Sequence, residues 1–221
     1  MVRKNCLSAT FYQRTEFGSL MNTRSISFLL FFFVIAGSAP AQDTGVKVPD
    51  EVRPFIEKGM EANAVESGDL NADGRKDYIL VMSKPAPTDG SFDNGEDDKR
   101  TTLIIIRDAS GKLAQAGRNE EVAFCRTCGG VFGDPFTGVR IRGTGFTVDN
   151  YGGSNWRWSN SFTFKYSPRD KQWQLTRVEE SSFYVFEPNK VKTTVATPPR
   201  SFGLITFDDF TPDSYKGKGK R

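Results

Sequence analysis

WRWSNSFTFKY, at residues 156–166, carries the strongest indication of fold class in this chain. Successive side chains of a β-strand point to opposite faces, so residues of one parity share a face. The aromatic residues of one parity here are Trp156, Trp158, Phe162, Phe164 and Tyr166. Because large aromatic side chains dominate protein interiors, this pattern predicts a strand whose aromatic face fills the core of a sheet. The alternative interpretation is an exposed platform for a carbohydrate or a peptide.

The sequence on either side of this stretch has the same β character. Short alternating segments around Val139, Phe146 and Trp173 are separated by Gly, Asn, Asp or Pro. The runs YILVM at residues 78–82 and TTLIII at residues 101–106 are too short for helices and favour buried strands. Closely spaced strands joined by turns predict a mainly β fold, an antiparallel meander that is sandwich or barrel-like.

The chain begins with the features of an export signal. Residues 21–41, MNTRSISFLLFFFVIAGSAPA, combine a basic start, an apolar run and small residues before a cleavage point after Ala41. The apolar run is about eleven residues, well below the ~20 of a membrane-spanning helix, so we expect no stable membrane insertion after cleavage. Residues 1–20 are interpreted as an over-extended gene start. The expected location is the periplasm or the extracellular space.

Residues 42–221 are predicted to form a single mature β-rich domain. Residues 50–61, DEVRPFIEKGME, predict a short amino-terminal amphipathic helix, and the basic tail from about residue 214 is predicted to be flexible. Four of the 30 basic and one of the 27 acidic residues precede Gln42, so the mature domain has 26 of each. This neutral balance excludes the concentrated positive charge that nucleic acid binding requires.

Residues 69–77, DLNADGRKD, form the motif with the most specific chemistry. Calcium binds six to eight oxygen ligands, which alternate residues of a tight loop direct inward. The expected ligands are the side chains of Asp69, Asn71 and Asp73, the backbone carbonyl of Arg75 and the side chain of Asp77. The Arg75 guanidinium is expected to face water. Leu80 lies where an EF-hand has its Glu, so we expect a hairpin-type site with a dissociation constant of about 10⁻⁴–10⁻³ M. The alternative is an Asx-stabilised turn that needs no metal.

Two resemblances accompany this motif. SGDLNADGRKDYILV, at residues 67–81, resembles the calcium loop and following strand of FG-GAP and VCBS-type repeats, which occur in integrin α-chain propellers and secreted bacterial proteins. The resemblance implies the same five ligands and a metal that braces a β-hairpin. Only one copy occurs, so it implies no propeller. Residues 48–210 are also similar to a group of exported bacterial proteins that share the CxxCGGVFGDPF and YGGSNWRW stretches, which implies export and fold but no activity.

The mature sequence retains two cysteines, in the motif CRTC at residues 125–128. In an exported protein, Cys125 and Cys128 are predicted to form a local disulfide. The alternative is a thiol-disulfide oxidoreductase, although such enzymes usually place the first cysteine at a helix N-terminus, and here Gly129 and Gly130 follow at once. A zinc site needs about four ligands, so this pair falls short of one.

Two segments combine glycines with aromatic and polar residues: GGVFGDPF at residues 129–136 and YGGSNWRW at residues 151–158. Glycine permits close backbone approach, so the two segments are predicted either to form one rim or groove or to be tight turns with core anchors. The candidate binding surface consists of Asp134, Tyr151, Asn155, Trp156 and Arg157. Its expected partner is an envelope protein or a glycan.

These observations predict an exported calcium-binding β-domain that acts as a non-catalytic binding or envelope interaction module. The chain contains no histidine, which excludes Ser-His-Asp and Cys-His catalysis and His-ligated zinc. Three alternatives remain open. They are a redox protein using Cys125 and Cys128, a hydrolase using paired carboxylates, and an inhibitor or immunity-type protein that blocks a secreted enzyme.

Overall fold

The computed structural model describes residues 45–87 and 98–216, which form two antiparallel sheets. The first sheet, in the order β1-β2-β3-β4, contains β1 (Glu61–Gly68), β2 (Asp77–Ser83), β3 (Arg100–Arg107) and β4 (Leu113–Asn119). The second, in the order β5-β6-β7-β8-β9, contains β5 (Phe136–Arg142), β6 (Gly145–Gly153), β7 (Trp156–Ser167), β8 (Gln172–Tyr184) and β9 (Lys192–Ala196). Within each sheet, every strand pairs with the next along the chain, so the prediction of a mainly β antiparallel meander is confirmed.

The inner faces of the two sheets share one hydrophobic core. The first sheet contributes Ile79 and Val81 of β2 and Ile104 of β3. The second sheet contributes Val139, Phe146, Val148, Phe162, Phe164, Trp173, Leu175 and Val178. Because the described strands form two open sheets around this core, the fold is a sandwich and not a closed barrel.

Strand β2 is buried on both faces, which explains its continuous apolar sequence. Its alternate residues Tyr78, Leu80 and Met82 face away from the shared core and form a second cluster with Val52 of the amino-terminal segment. Partly buried residues of the same segment complete the cover: Val48, Phe55, Ile56 and Met60. Residues 48–60 therefore shield the outer face of the first sheet from water.

The predicted short helix is smaller than its sequence pattern indicates. Only Arg53–Phe55 are helical, as a single 3-10 turn, and β1 already begins at Glu61. Pro54 lacks an N–H donor and Gly59 has a φ of 81°, so an α-helix over residues 50–61 is interrupted at both ends. The prediction was right that a short helical element precedes the strands and wrong about its length.

Strand β7 confirms the aromatic stripe at its centre and corrects it at one end. Phe162 and Phe164 are fully buried, and Trp158 and Tyr166 are partly buried. Trp156 is 63% exposed because it lies at the start of the strand, beyond the edge of the core. The core interpretation therefore holds for Phe162, Phe164 and Tyr166, whereas the Trp158 ring packs on Phe124 at the margin of the core, with the ring centroids 5.8 Å apart.

The carboxy-terminal segment fills the remaining end of the core with Phe202, Ile205, Phe207, Phe210 and Tyr215. Residues 205–207 form backbone hydrogen bonds with the first part of β8, which does not pair with β9. The N–H of Leu175 donates to the Ile205 carbonyl at 2.9 Å, and the N–H of Phe207 donates to the Trp173 carbonyl at 2.8 Å.

The tail predicted to be flexible from about residue 214 includes Tyr215, which is only 6% exposed. Its hydroxyl donates to Glu180 Oε1 at 2.7 Å. The flexible-tail prediction is therefore wrong at Tyr215, because an aromatic ring there completes the core. The rest of that tail, residues 217–221, lies outside the described residues.

The predicted over-extended start and signal peptide, residues 1–41, also lie outside the described residues. Within the two described ranges, no helix is long and apolar enough to cross a membrane.

Candidate functional site

The loop predicted to bind calcium connects β1 to β2 and ends at Asp77, the first residue of β2. Carboxylate oxygens of Asp69, Asp73 and Asp77 lie within 4.8 Å of one another. Asn71 joins this cluster by donating from Nδ2 to Asp73 Oδ2 at 2.8 Å. The structure therefore brings together all four side chains that the motif predicted as ligands.

Backbone N–H groups hold the loop around these carboxylates. The N–H groups of Asp73 and Gly74 donate to the two oxygens of Asp69, at 3.1 and 2.9 Å. Gly74 has a φ of 78°, a conformation that a residue with a Cβ rarely adopts. The N–H of Arg75 donates to Asp73 Oδ1 at 2.9 Å. Each carboxylate oxygen has two lone pairs, so these bonds orient the oxygens and leave acceptor capacity for a cation.

Asp77 is the most buried carboxylate of the cluster, with 0% exposure. Its two oxygens accept the N–H groups of Leu70 and Arg107, both at 2.9 Å. Desolvation raises the pKa of Asp77, and the neighbouring charges of Asp73 and Asp69 raise it further. The two backbone hydrogen bonds favour the ionised form and act to lower the pKa, but they do not overcome desolvation, and Asp77 forms no ion pair within the described ranges.

The Arg75 side chain differs from its prediction. Its guanidinium does not simply face water, because Nη2 lies 2.7 Å from Asp73 Oδ2 and Nε donates to the Arg107 carbonyl at 3.0 Å. Desolvation acts to raise the pKa of Asp73, but hydrogen bonds from Arg75 and Asn71 together with the Arg75 charge hold it below its usual value. Among the residues the structure describes, one carboxylate of the three has a cationic partner.

The donor set fits a hard divalent cation. All the candidate side-chain ligands offer oxygen, from three carboxylates and one amide, and the cluster contains no nitrogen or sulfur ligand of the kind that zinc or copper favours. The Arg75 carbonyl stays a predicted ligand.

The loop is also tied to the second sheet. Trp173 of β8 is 4% exposed, and its indole Nε1–H donates to the Leu70 carbonyl at 3.1 Å. Leu70 itself is fully buried in the shared core. The loop therefore contacts the second sheet through both the backbone and the side chain of Leu70.

Cys125 and Cys128 form a disulfide, with their Cα atoms 5.1 Å apart. Asp98, whose side chain is 3% exposed, holds this loop in place. It accepts the N–H of Thr127 at 2.7 Å and the Nε–H of Arg126 at 3.2 Å. The element that follows the pair is the 3-10 turn Gly130–Phe132, so no α-helix begins at Cys125.

The two glycine-aromatic segments lie against each other. The N–H of Gly153 donates to the Gly129 carbonyl at 2.8 Å, and a Cβ at Gly152 would lie 2.9 Å from the Gly129 backbone. Glycine at this contact therefore permits the close approach that the sequence suggested.

At this end of the second sheet, two groups of side chains lie on opposite faces of β7, because the consecutive residues Trp156 and Arg157 point to opposite sides of the strand. We call both groups together the aromatic rim: Phe132, Tyr151 and Arg157 in the first group, and Trp156, Tyr184 and Phe186 in the second. The Arg157 guanidinium lies over the Phe132 ring, 3.7 Å from its centroid, and Phe132 meets Tyr151 edge-on at 5.5 Å. Trp156 contacts Tyr184 at 5.3 Å, which in turn contacts Phe186 at 5.4 Å. Phe132, Trp156 and Phe186 are 50%, 63% and 75% exposed.

The rim includes three of the five residues predicted for a binding surface. Asp134 instead forms an ion pair with the buried Arg100 and accepts the N–H of Phe136 at 3.0 Å. Asn155 accepts the N–H of Val185 through its backbone carbonyl at 2.9 Å, which ties the β6–β7 turn to β8. The five predicted residues did not include Phe132, Tyr184 or Phe186. Tyr184 and Phe186 alternate along the chain with Ser182, which was the available sign of a shared strand face. This alternation did not reveal that β8 ends beside Trp156.

A concave surface elsewhere on the protein is relevant to the hydrolase alternative. It has a volume of about 390 Å³ and is lined by four acidic residues, Glu120, Glu121, Asp208 and Asp209. All four residues are exposed, and Asp208 accepts the N–H of Arg118 at 2.8 Å. Hydrolases with paired carboxylates place one carboxyl in an apolar, desolvated environment, which this surface does not offer.

No protein-family model and no curated protein matches this chain. The resemblance of residues 67–81 to FG-GAP and VCBS loops therefore stays a prediction, and the function has to be argued from the geometry.

Proposed function

We propose that this protein is exported, binds one calcium ion at residues 69–77 and acts as a non-catalytic binding or envelope interaction module. The observation that supports calcium binding most strongly is the convergence of the Asp69, Asp73 and Asp77 carboxylates within 4.8 Å. Like charges at that separation repel one another, and the single ion pair to Arg75 offsets only part of the repulsion. A divalent cation removes the rest.

The proposed ion braces the β1–β2 hairpin. Its ligands are Asp69, Asn71, Asp73 and Asp77 through side-chain oxygens and Arg75 through its carbonyl. Three carboxylates without a bidentate Glu give a dissociation constant of about 10⁻⁴–10⁻³ M, which suits the calcium levels outside the cell. Because the folded loop binds the ion and the unfolded chain does not, the ion contributes stability by mass action.

The export proposal has two supports. Residues 21–41 have the three parts of a secretory signal. The Cys125–Cys128 disulfide is compatible with an oxidising compartment, where such bonds persist. The proposed location is the periplasm or the extracellular space.

The aromatic rim favours a binding role over catalysis. It exposes Phe132 beside Arg157 in one group and Trp156 and Phe186 in the other, and exposed aromatic residues and arginines are enriched in binding surfaces. Its proposed partner is an envelope protein or a glycan. No α-helix begins at Cys125 to lower a thiol pKa for the redox alternative, and the four carboxyls that line the acidic concavity are all exposed, which does not favour the hydrolase alternative there.

The calcium proposal is tested by thermal unfolding of the exported protein at pH 7, first in EDTA and then in 10 mM Ca²⁺. At about 10–100 times the dissociation constant, a bound ion stabilises the folded state by about 1.4–2.7 kcal/mol. For a domain of this size that corresponds to a rise in Tm of roughly 3–10 °C. Mg²⁺ at the same concentration is expected to give a smaller rise, because it demands a smaller octahedral site.

The matched control compares Asp73→Ala with Asp213→Ala. Asp213 has a side chain 90% exposed and lies outside the loop. Asp73→Ala is expected to abolish the calcium-dependent rise in Tm, and Asp213→Ala is expected to keep it. An equal rise in both variants would refute the assignment of the ion to residues 69–77, and no rise in the unmodified protein would refute calcium binding itself.

A further inference from the structure

The outer face of the second sheet, which points away from the shared core, contains a basic concavity. Its volume is about 320 Å³. Three arginines, three hydroxyl residues and one glutamate line it, and we call this set the arginine pocket: Arg140, Arg142, Arg177, Thr147, Ser161, Thr163 and Glu179. The pocket is separate from the aspartate loop, and none of its members belongs to the aromatic rim.

Strand register builds this pocket. Arg140 of β5 pairs with Thr147 of β6, Thr147 pairs with Thr163 of β7, and Thr163 pairs with Arg177 of β8. Neighbouring strands lie about 4.8 Å apart, so the backbones of the two arginines are about 14 Å apart with small threonines between them. Long side chains on both sides of short ones make a trough across the sheet.

The charge of the trough is positive. Arg140 forms an ion pair with Asp149, and Arg177 forms one with Glu179. Arg142 has no ion-pair partner in the described part of the chain, and it is exposed. The pocket therefore keeps one positive charge that its own carboxylates do not balance.

The polar groups of the trough offer both donors and acceptors. The Thr147 and Thr163 hydroxyls lie 2.9 Å apart, and Ser161 Oγ donates to Asp149 Oδ1. Arg140 donates to both oxygens of Asp149, at 2.8 and 3.0 Å, in the two-pronged geometry that guanidinium groups form with carboxylates. No aromatic or aliphatic residue lines the pocket, so it lacks the apolar anchor of a protein–protein hot spot.

We propose that the arginine pocket binds a carboxylate-bearing oligosaccharide. Arg142 and Arg177 pair with the sugar carboxylates, while the threonine and serine hydroxyls, Asp149 and Glu179 bond to the sugar hydroxyls. An open sheet face accommodates an extended chain, and the mixture of donors and acceptors matches a polyhydroxylated ligand better than a bare anion. The proposal names a partner class for the binding module proposed above and does not depend on calcium binding.

The test is calorimetric titration of the exported protein with tetragalacturonate, a linear acidic tetrasaccharide. EDTA is present so that calcium does not bridge the sugar carboxylates. The expected result is one binding site per chain, with binding weakened as salt screens the charges. The methyl ester of the same tetrasaccharide, which has the same hydroxyls and no charge, is expected to bind at least tenfold more weakly.

Two variants, Arg142→Gln and Arg177→Gln, are expected to weaken tetragalacturonate binding about tenfold each. Arg169→Gln is the matched control, because Arg169 is 84% exposed in the β7–β8 turn, outside the pocket. Binding that is absent, equal for the methyl ester or unaffected by both pocket variants would overturn the proposal. Competition by inorganic phosphate at the same concentration as the tetrasaccharide would also overturn the proposal, because it would show that the pocket binds anions in general.

The Asp73→Ala variant separates this proposal from the calcium proposal. It is expected to bind tetragalacturonate as the unmodified protein does, even where its calcium response is lost. If Asp73→Ala remains folded and loses sugar binding, the two sites are coupled and the independence stated here is wrong.

Discussion

Phe207 holds the carboxy-terminal segment in the sandwich, and Phe207→Ala is expected to be among the most destabilising single changes. The ring is 2% exposed and lies 5.4 Å from the Phe146 ring and 5.3 Å from the Phe164 ring, edge-on to both. Two backbone hydrogen bonds of residue 207 remain available to alanine. The N–H donates to the Trp173 carbonyl, and the carbonyl accepts from Asn119 Nδ2. The substitution therefore isolates the contribution of the ring.

Removal of a buried phenylalanine ring costs about 3–5 kcal/mol. Two edge-to-face contacts, each contributing about 0.5–1.5 kcal/mol, place the expected loss in the upper half of that range. With a urea dependence of about 2 kcal/mol per molar, a loss of about 4 kcal/mol lowers the unfolding midpoint by about 2 M urea. The measurement is urea unfolding followed by far-UV circular dichroism.

Phe186→Ala is the control, because Phe186 is 75% exposed and contacts only Tyr184 among the described rings. Its expected change is within about 0.5 kcal/mol. A loss below about 1 kcal/mol for Phe207→Ala, or equal losses in the two variants, would show that the carboxy-terminal segment is not part of the core and would refute this reasoning.

Two further predictions concern buried polar groups. Hydrogen bonds from Thr127 and Arg126 overcome desolvation and lower the pKa of Asp98 in the folded protein. The stabilisation that Asp98 contributes is therefore complete above its pKa in the unfolded chain, about 4, and is lost as the pH falls through its lower pKa in the folded protein. Asp98→Asn is therefore expected to lower the free energy of unfolding by about 1–3 kcal/mol at pH 7. Urea titrations should show that this difference from the unmodified protein narrows below about pH 4, and a difference that stays constant with pH would contradict the prediction. Trp173→Phe leaves the Leu70 carbonyl without its 3.1 Å donor and is expected to cost about 1–3 kcal/mol, whereas Trp156→Phe at the exposed rim is expected to change stability by less than about 0.5 kcal/mol.

Local patterns in the sequence were sufficient to predict β2, β3 and β5 to β8, but β1, β4 and β9 were not predicted. The run at residues 78–82 predicted a buried strand because both faces of β2 are covered, and the alternation in residues 156–166 predicted the inner face of β7. The loop at residues 69–77 was predictable for the same reason, since its ligands and its glycine lie within nine consecutive positions.

The parts that the sequence did not reveal depend on contacts between distant residues. Phe202, Phe207, Phe210 and Tyr215 follow no helical or strand period, so only the packed structure shows that they fill the core. Residues 50–61 have apolar residues at helical spacing, but their packing on the first sheet outweighs that weak propensity.

The arginine pocket could not be predicted from sequence for a similar reason. Arg140 and Arg177 are on strands separated by two others, and their common row exists only once the register of four strands is set. A shift of one residue in any of these strands would turn that strand's pocket residues toward the core.

The proposed calcium binding at residues 69–77 is tested most directly by calorimetric titration of the protein with Ca²⁺ at pH 7. The expected result is one site per chain with a dissociation constant of about 10⁻⁴–10⁻³ M, and its loss in the double variant Asp69→Asn with Asp73→Asn. Heats no larger than those of dilution up to 10 mM Ca²⁺, or a site that persists in the double variant, would contradict it.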